Sequence, residues 1–199
     1  MKNTLVNKLP TKLLAIIAAV ALLPVLSYAS GNVKLESANI DLTDHKSLQN
    51  GAKYYMNYCF GCHALAFSRY NRMANDIGFP VDPDIVGDEM AAANVKLLSE
   101  NLIFTTNDEG KPTNPGALMK SAIPAKDAGK WFGAPPPDLS LVGRSRGSDW
   151  IYTYLKSFYL DPKRPTGVNN TTFPNVGMPH VLWELQGWQT LESHKDESG

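Results

Sequence analysis

Cys59-Phe60-Gly61-Cys62-His63 is the stretch on which the reading of this chain turns, and it holds both cysteines of the 199 residues. In C-x-x-C-H each position has its own task. Two thiols three positions apart can form thioethers to the vinyl groups on one porphyrin edge, and the histidine that follows presents its imidazole to the iron. A disulfide between Cys59 and Cys62 would close a tiny, strained loop and leave the adjacent His63 unexplained. A thioredoxin-like redox pair would need a βαβ context that the surrounding sequence lacks. The motif therefore points to one covalent haem c with His63 as an axial ligand.

Working outward, the segment that leads into the motif carries Leu48, Ala52, Tyr55, Met56 and Cys59 at helical spacing, with Ser47 as the expected cap. Such a helix would deliver the motif rigidly to one haem edge. A second helix is expected from Ser148, with Ile151, Tyr154, Leu155 and Phe158 on one face and an end before Pro162; Ser148 would cap it and Asp149 suits the dipole there. Asp88 to Ser99 reads as a third helix. The stretches Gly78–Gly87 and Asn107–Pro115 are rich in Pro, Gly, Asn and Asp and read as loops. No internal repeat is visible.

The sixth iron ligand must come from elsewhere. Besides Met56, which lies too close to the motif, the candidates are Met73, Met90, Met119 and Met178 with His45, His180 and His194. Met90 and Met119 sit in segments that read as helix, where methionine usually fills core gaps. Met178 lies in the loop Phe173-Pro174-Asn175-Val176-Gly177-Met178-Pro179-His180, where Gly177 allows close backbone approach and Pro179 biases Met178 away from helix. A soft thioether on a stiff loop suits an axial ligand and raises the potential of an electron carrier. His180 is the nearest competitor, its alternative being a solvated loop histidine.

Charge and the N-terminus bound the setting. Lys2, Lys8 and Lys12 precede an apolar run from Leu13 to Leu26, and Ser27-Tyr28-Ala29 follows as a small-residue cleavage site. Residues 1–29 thus read as a signal peptide, with an uncleaved anchor as the alternative, and residues 30–199 as the exported cytochrome domain. Removing the three leader lysines leaves 16 basic against 19 acidic side chains, a net of −3, which argues against a nucleic-acid partner.

Other features have plain readings beside functional ones. Asp82, Asp84, Asp88 and Glu89 could form a docking surface for a basic cytochrome, but acids are also expected at a helix start. Asn169-Asn170-Thr171-Thr172 holds glycosylation-like triplets, a coincidence in a chain with a bacterial-looking export signal. Trp131, Trp150, Trp183 and Trp188 could line a haem pocket or simply fill the core.

Taken together, CFGCHALAFSRY (59–70), GAPPPDLSLVGRSRGSDWIYTYLKSFY (133–159) and NNTTFPNVGMPHVLWELQG (169–187) resemble cytochrome c1, the haem subunit of the cytochrome bc1 complex, over roughly residues 35 to 190. The long gap between His63 and Met178, with Pro-Pro-Asp-Leu-Ser between, is what separates it from a small cytochrome c. The resemblance implies a mainly α fold, a cytochrome c-like helical core with long loop insertions. It implies Cys59 and Cys62 as thioether anchors, His63 and Met178 as the axial pair, Pro136 and Pro137 against the haem edge, and Arg144 or Arg146, with Arg146 favoured, on a haem propionate. It further implies cytochrome b and Rieske iron–sulfur partners, a soluble cytochrome c as acceptor, and a place on the periplasmic face of the bacterial inner membrane. Family members continue with another core helix and a membrane anchor; after Leu191 this sequence is short and polar, so a fragment is the expectation. No side chain is expected to act as a catalytic acid or base. The rival readings are a c-type haem enzyme or gas sensor with an open distal site, and a thiol–disulfide protein without haem.

Overall fold

The leading helix forms where its spacing predicts. In a computed structural model, which describes residues 33–192 apart from Phe104 and residues 107–109, helix α1 covers His45–Tyr54. Its cap is Asp44 rather than Ser47: the Asp44 carboxylate accepts from the Ser47 N–H at 3.0 Å, so Ser47 is the residue being capped. The helix then widens into a π-helical turn, Tyr55–Cys59, closed by Phe60 N–H to the Tyr55 carbonyl at 2.9 Å. The Cys59 carbonyl accepts from both Cys62 N–H (3.1 Å) and His63 N–H (2.8 Å), which folds the motif back on the helix end.

After the motif come β1 (Leu65–Arg69), α2 (Tyr70–Asp76), the single turn α3 (Pro83–Val86), α4 (Asp88–Asn101), β2 (Leu118–Met119) and α5 (Ala125–Phe132). The predicted loop at Gly78–Gly87 thus contains a turn of helix, started by Pro83 and capped by Asp82, whose side chain accepts from Asp84 N–H. The third helix runs two residues beyond the expected Ser99. Met119 is in a strand, not a helix; β2 pairs antiparallel with β1, Met119 opposite Leu65. It is nonetheless core: with Met56, Phe60, Tyr70, Ala74, Leu98 and Ile103 it forms a buried cluster, in which Phe60 meets the Tyr70 ring edge-on at 6.1 Å.

The second half holds α6 (Val142–Arg146), α7 (Ser148–Lys156), β3 (Phe158–Leu160), β4 (Val168–Asn170) and α8 (Trp183–Gln186). Gly147, at φ +86°, occupies the cap position before α7, so Ser148 is not its cap. Asp149 instead accepts from the Ala38 N–H at 2.8 Å, and Thr153 Oγ1 accepts from Glu36 N–H at 2.9 Å. A Lys156–Glu36 ion pair completes this strap of the chain start along α7. The helix stops at Lys156 because Phe158 leaves it to pair with Asn170 in the β3–β4 ladder. A second buried cluster, Phe158, Val168 and Val176 with Tyr154 and Met178 against it, sits here. The fold is mainly helical with long loops, as expected, and among the described residues it also holds two short two-stranded sheets. Among the described residues no helix is long and apolar enough to cross a membrane. The leader read at residues 1–29, His194 and the chain end lie outside the described residues.

The capping assignment gives a simple check. Asp44→Ala should lower unfolding stability by about 1 kcal/mol, read by chemical denaturation, whereas Ser47→Ala should change it far less.

Candidate haem site

His63 is 9% exposed at the end of the folded-back motif, and its Nδ1 lies 2.8 Å from the carbonyl oxygen of Pro137. A carbonyl can only accept, so Nδ1 carries the hydrogen, and the lone pair of Nε2 is left for a metal. The backbone carbonyl of His63 in turn accepts from the Tyr55 hydroxyl at 2.8 Å. Burial, and secondarily the nearby Cys59, pushes the Tyr55 pKa well above its ordinary value, so this donor keeps its proton. Cys59 is half-buried and Cys62 exposed, and the two are not joined in a disulfide. Burial, then Cys62, raises the Cys59 pKa.

The Pro137 carbonyl is held in place by the residues after it. Leu139 N–H donates to the Ala64 carbonyl at 2.9 Å, Phe67 N–H to Ser140 Oγ at 3.1 Å, and Ala66 N–H to Asp138 Oδ2 at 2.8 Å. Beside this latch a cavity of about 390 Å³ opens along Cys62, lined by Ala64, Ile123, Ala128 and the run Pro135, Pro136 and Pro137. The two prolines expected near the haem edge therefore border the cysteine that would bond to it.

Met178 lies on the second cluster, in a loop without helix or strand, and its Sδ accepts from the Tyr154 hydroxyl at 3.4 Å. Two asparagines that read from sequence as glycosylation-like build this loop. Asn170 is 1% exposed; its Oδ1 accepts from Thr172 and Phe173 N–H, and its amide donates to the Tyr154 carbonyl at 2.8 Å. Asn169 accepts from Asn175 N–H at 2.8 Å, and the Arg164 guanidinium donates to the carbonyls of Asn175 (2.8 Å) and Val176 (3.3 Å). Side chains this far inside a protein and this fully bonded are not glycan acceptors. At Gly177 φ is not left-handed and no protein atom comes within 4 Å of an added Cβ, so protein packing does not itself require glycine there.

The competing axial candidates are placed elsewhere. His180 is neither solvated nor free: it is 4% exposed, stacked parallel on Phe158 at 5.1 Å, and its Nε2 lies 3.3 Å from the Gly187 carbonyl. His45 starts α1, fourteen residues before Cys59, and packs on Gly78. Met56, Met73 and Met119 belong to the first cluster, and Met90 is exposed on α4 rather than filling core. Of the tryptophans, Trp131, Trp183 and Trp188 are exposed, so they do not fill the protein core, while Trp150 is half-buried and stacks on Tyr154. Arg146 places its guanidinium 5.0 Å above the Trp150 ring; Arg144 is exposed on α6. Asp82, Asp84, Asp88 and Glu89 are exposed, as either of their readings requires. Among the described residues no three His, Cys, Asp or Glu side chains converge as they would around a bare ion. Two cysteines at the vinyl spacing followed by an imidazole with Nε2 available fit instead the attachment of a covalent haem.

Sequence comparison decides the family. The model of the Cytochrome C1 family matches residues 36–189. The chain belongs to the cytochrome c1 family. Proteins of this family carry one covalent haem c. The chain is 55% identical to a cytochrome c1 of Allochromatium vinosum, over 81% of its own length and 58% of the relative. It is 46% identical to a Nitrosomonas europaea protein named ammonia monooxygenase gamma subunit, over 89% of the chain and 67% of that protein. It is 31% identical to the mitochondrial cytochrome b-c1 complex catalytic subunit of Candida albicans, over 71% of the chain and 51% of the relative. The chain thus spans between about half and two thirds of the length of these curated relatives.

The loop and the latch can each be probed by one substitution. Asn170→Ala leaves the Thr172 and Phe173 N–H groups without their partner and takes from the Tyr154 carbonyl one of its two donors, the other being Ser157 N–H. It should cost about 2–3 kcal/mol in denaturant titration of the matured protein. At Asp138, burial works to raise the carboxyl, but hydrogen bonds from the Ser140 side chain and the Ala66 and Ser140 N–H groups outweigh it and hold its pKa below the ordinary carboxylate value. A depressed folded pKa means the latch contributes fully above the unfolded value and is lost as pH falls through the folded one. Stability measured from pH 6 to about pH 2 should therefore fall more steeply in the wild type than in Asp138→Asn.

Proposed function

We propose that this chain is the haem-bearing electron-transfer subunit of a ubiquinol–cytochrome c oxidoreductase, passing electrons from an iron–sulfur protein to a soluble cytochrome c. In this reading Cys59 and Cys62 are the thioether anchors, His63 and Met178 the axial ligands, and Pro136 and Pro137 border the haem edge. Arg146, stacked on Trp150, serves a propionate in preference to Arg144; a planar guanidinium suits a carboxylate there. The haem, when bound, supplies one-electron chemistry at iron. The chain's own residues fix the ligands: Pro137 orients His63, the asparagine pair holds the Met178 loop, and no general acid or base is called for. The partners would be cytochrome b and a Rieske iron–sulfur protein, and the setting the periplasmic face of the inner membrane, reached through the leader at residues 1–29 and anchored by a C-terminal helix beyond this sequence.

The observation that carries the proposal is the 2.8 Å contact from His63 Nδ1 to the Pro137 carbonyl in a chain of the cytochrome c1 family. It puts the hydrogen on Nδ1, leaves Nε2 available to a metal and ties the imidazole to the proline segment that borders Cys62, which supports ligation by His63. The Candida albicans relative's name places that protein in a cytochrome b-c1 complex, which supports the same assignment here. The name of the Nitrosomonas europaea relative belongs to an ammonia-oxidising system. An oxygen-activating role would need an open coordination position, and a Met178 thioether held on its loop argues for a closed one.

Absorption spectra of the protein matured in the periplasm test this. The reduced form should show a six-coordinate c-type haem that resists carbon monoxide, and Met178→Ala should bind carbon monoxide and fall in midpoint potential. A wild type that binds carbon monoxide readily would favour the open-site enzyme or sensor, and no Soret band would favour a thiol protein.

A further inference from the structure

Helix α7 and the turn before it carry a ladder of stacked groups that ends on the methionine sulfur. Trp150 and Tyr154, four residues apart, share one face of α7, and Arg146, the last residue of α6, reaches Trp150 across the Gly147 break. The Arg146 guanidinium sits 5.0 Å above the Trp150 ring, and the Trp150 ring is stacked parallel on Tyr154, with centroids 5.1 Å apart and planes 8° apart. Phe158 and Phe173 meet the same tyrosine ring edge-on at 5.3 and 6.5 Å. Its backbone carbonyl is tied to Asn170, in the strand that leads to the methionine loop. A ring held from three sides and from its own backbone has little freedom, and its hydroxyl lies 3.4 Å from Met178 Sδ. The thioether has no hydrogen, so the tyrosine is the donor.

We propose that Tyr154 is the positioning and potential-setting residue of the methionine ligand, an inference that rests on Met178 being an axial ligand. A thioether sulfur has two lone pairs. A donor fixed on one of them leaves the other as the pair available to a metal, so the hydrogen bond selects the rotamer in which Met178 binds. It also draws electron density from the sulfur and makes it a poorer donor to the electron-poor ferric state than to the ferrous one. The reduced protein is thereby favoured and the midpoint potential raised, through a hydrogen-bonding partner outside the coordination sphere.

Tyr154→Phe keeps the ring and its stack and removes only the hydroxyl. In the matured full chain, redox titration should show the ferric-to-ferrous ratio at a fixed ambient potential rising by about two- to tenfold, the equilibrium equivalent of one modest hydrogen bond. The near-infrared sulfur-to-iron band should remain, and carbon monoxide should stay excluded. Replacing Tyr154 by 3-fluorotyrosine, a stronger donor of nearly the same size, should move the ratio the other way. An unchanged ratio in Tyr154→Phe, with Tyr154→Leu alone altering it, would reduce the residue to packing and overturn the proposal. Failure of the underlying reading looks different, because the wild type itself would then lack the sulfur-to-iron band.

Discussion

A single hydrogen bond, from His63 Nδ1 to the carbonyl of Pro137, sets the terms for the rest of this molecule. It spans 74 residues of sequence and fixes both the tautomer and the facing of the imidazole. Proline suits the acceptor's place: a run of three prolines has fixed φ angles and no N–H of its own to satisfy, so its carbonyl can be held stiffly at little further cost. The next residues along the chain keep it there. Asp138, Leu139 and Ser140 each bond to the segment just after the motif, so the histidine and its acceptor are fastened to one another twice over.

The loop that carries Met178 is organised by different chemistry. Around Met178 the loop has no regular structure, and buried amides take the place of a ladder. Asn169 and Asn170 satisfy the backbone N–H groups of Asn170, Thr172, Phe173 and Asn175, and Arg164 covers two carbonyls. Irregular backbone can be buried only when such groups are paired, and the pairing makes the loop rigid. If Met178 is the axial ligand proposed above, such a loop would hold it nearly still between oxidation states.

The motif, the three long helices and the Met178 loop were legible in the sequence because each is a local pattern. The C-x-x-C-H spacing, the helical stripe through Ala52 and Met56, and the proline after Met178 need no knowledge of distant partners. What escaped was settled at long range or by near neighbours of equal merit. Asp44 and Ser47 are both good caps, and only the geometry shows which one accepts. Met119 reads as helix because β2 is two residues long and owes its place to β1. His180 reads as a loop histidine because its stacking partner, Phe158, lies on the far side of a hairpin. The asparagine pair reads as a surface triplet because its bonds reach to Tyr154 and Asn175. The exposure of Trp131, Trp183 and Trp188 likewise depends on tertiary surroundings that no periodicity encodes.

The proposed electron transfer through this chain assigns His63 and Met178 as the two axial ligands of one haem. Proton–carbon NMR of the reduced, matured protein, labelled with 13C at the methionine methyl groups, tests the methionine end of that pair directly. A methionine bound to ferrous haem iron lies against the porphyrin face, where the ring current shifts its methyl far upfield. One such methyl is expected in the wild type, and it should disappear in Met178→Leu. All methionine methyls in their ordinary range, or an upfield methyl that persists in Met178→Leu, would contradict this pairing.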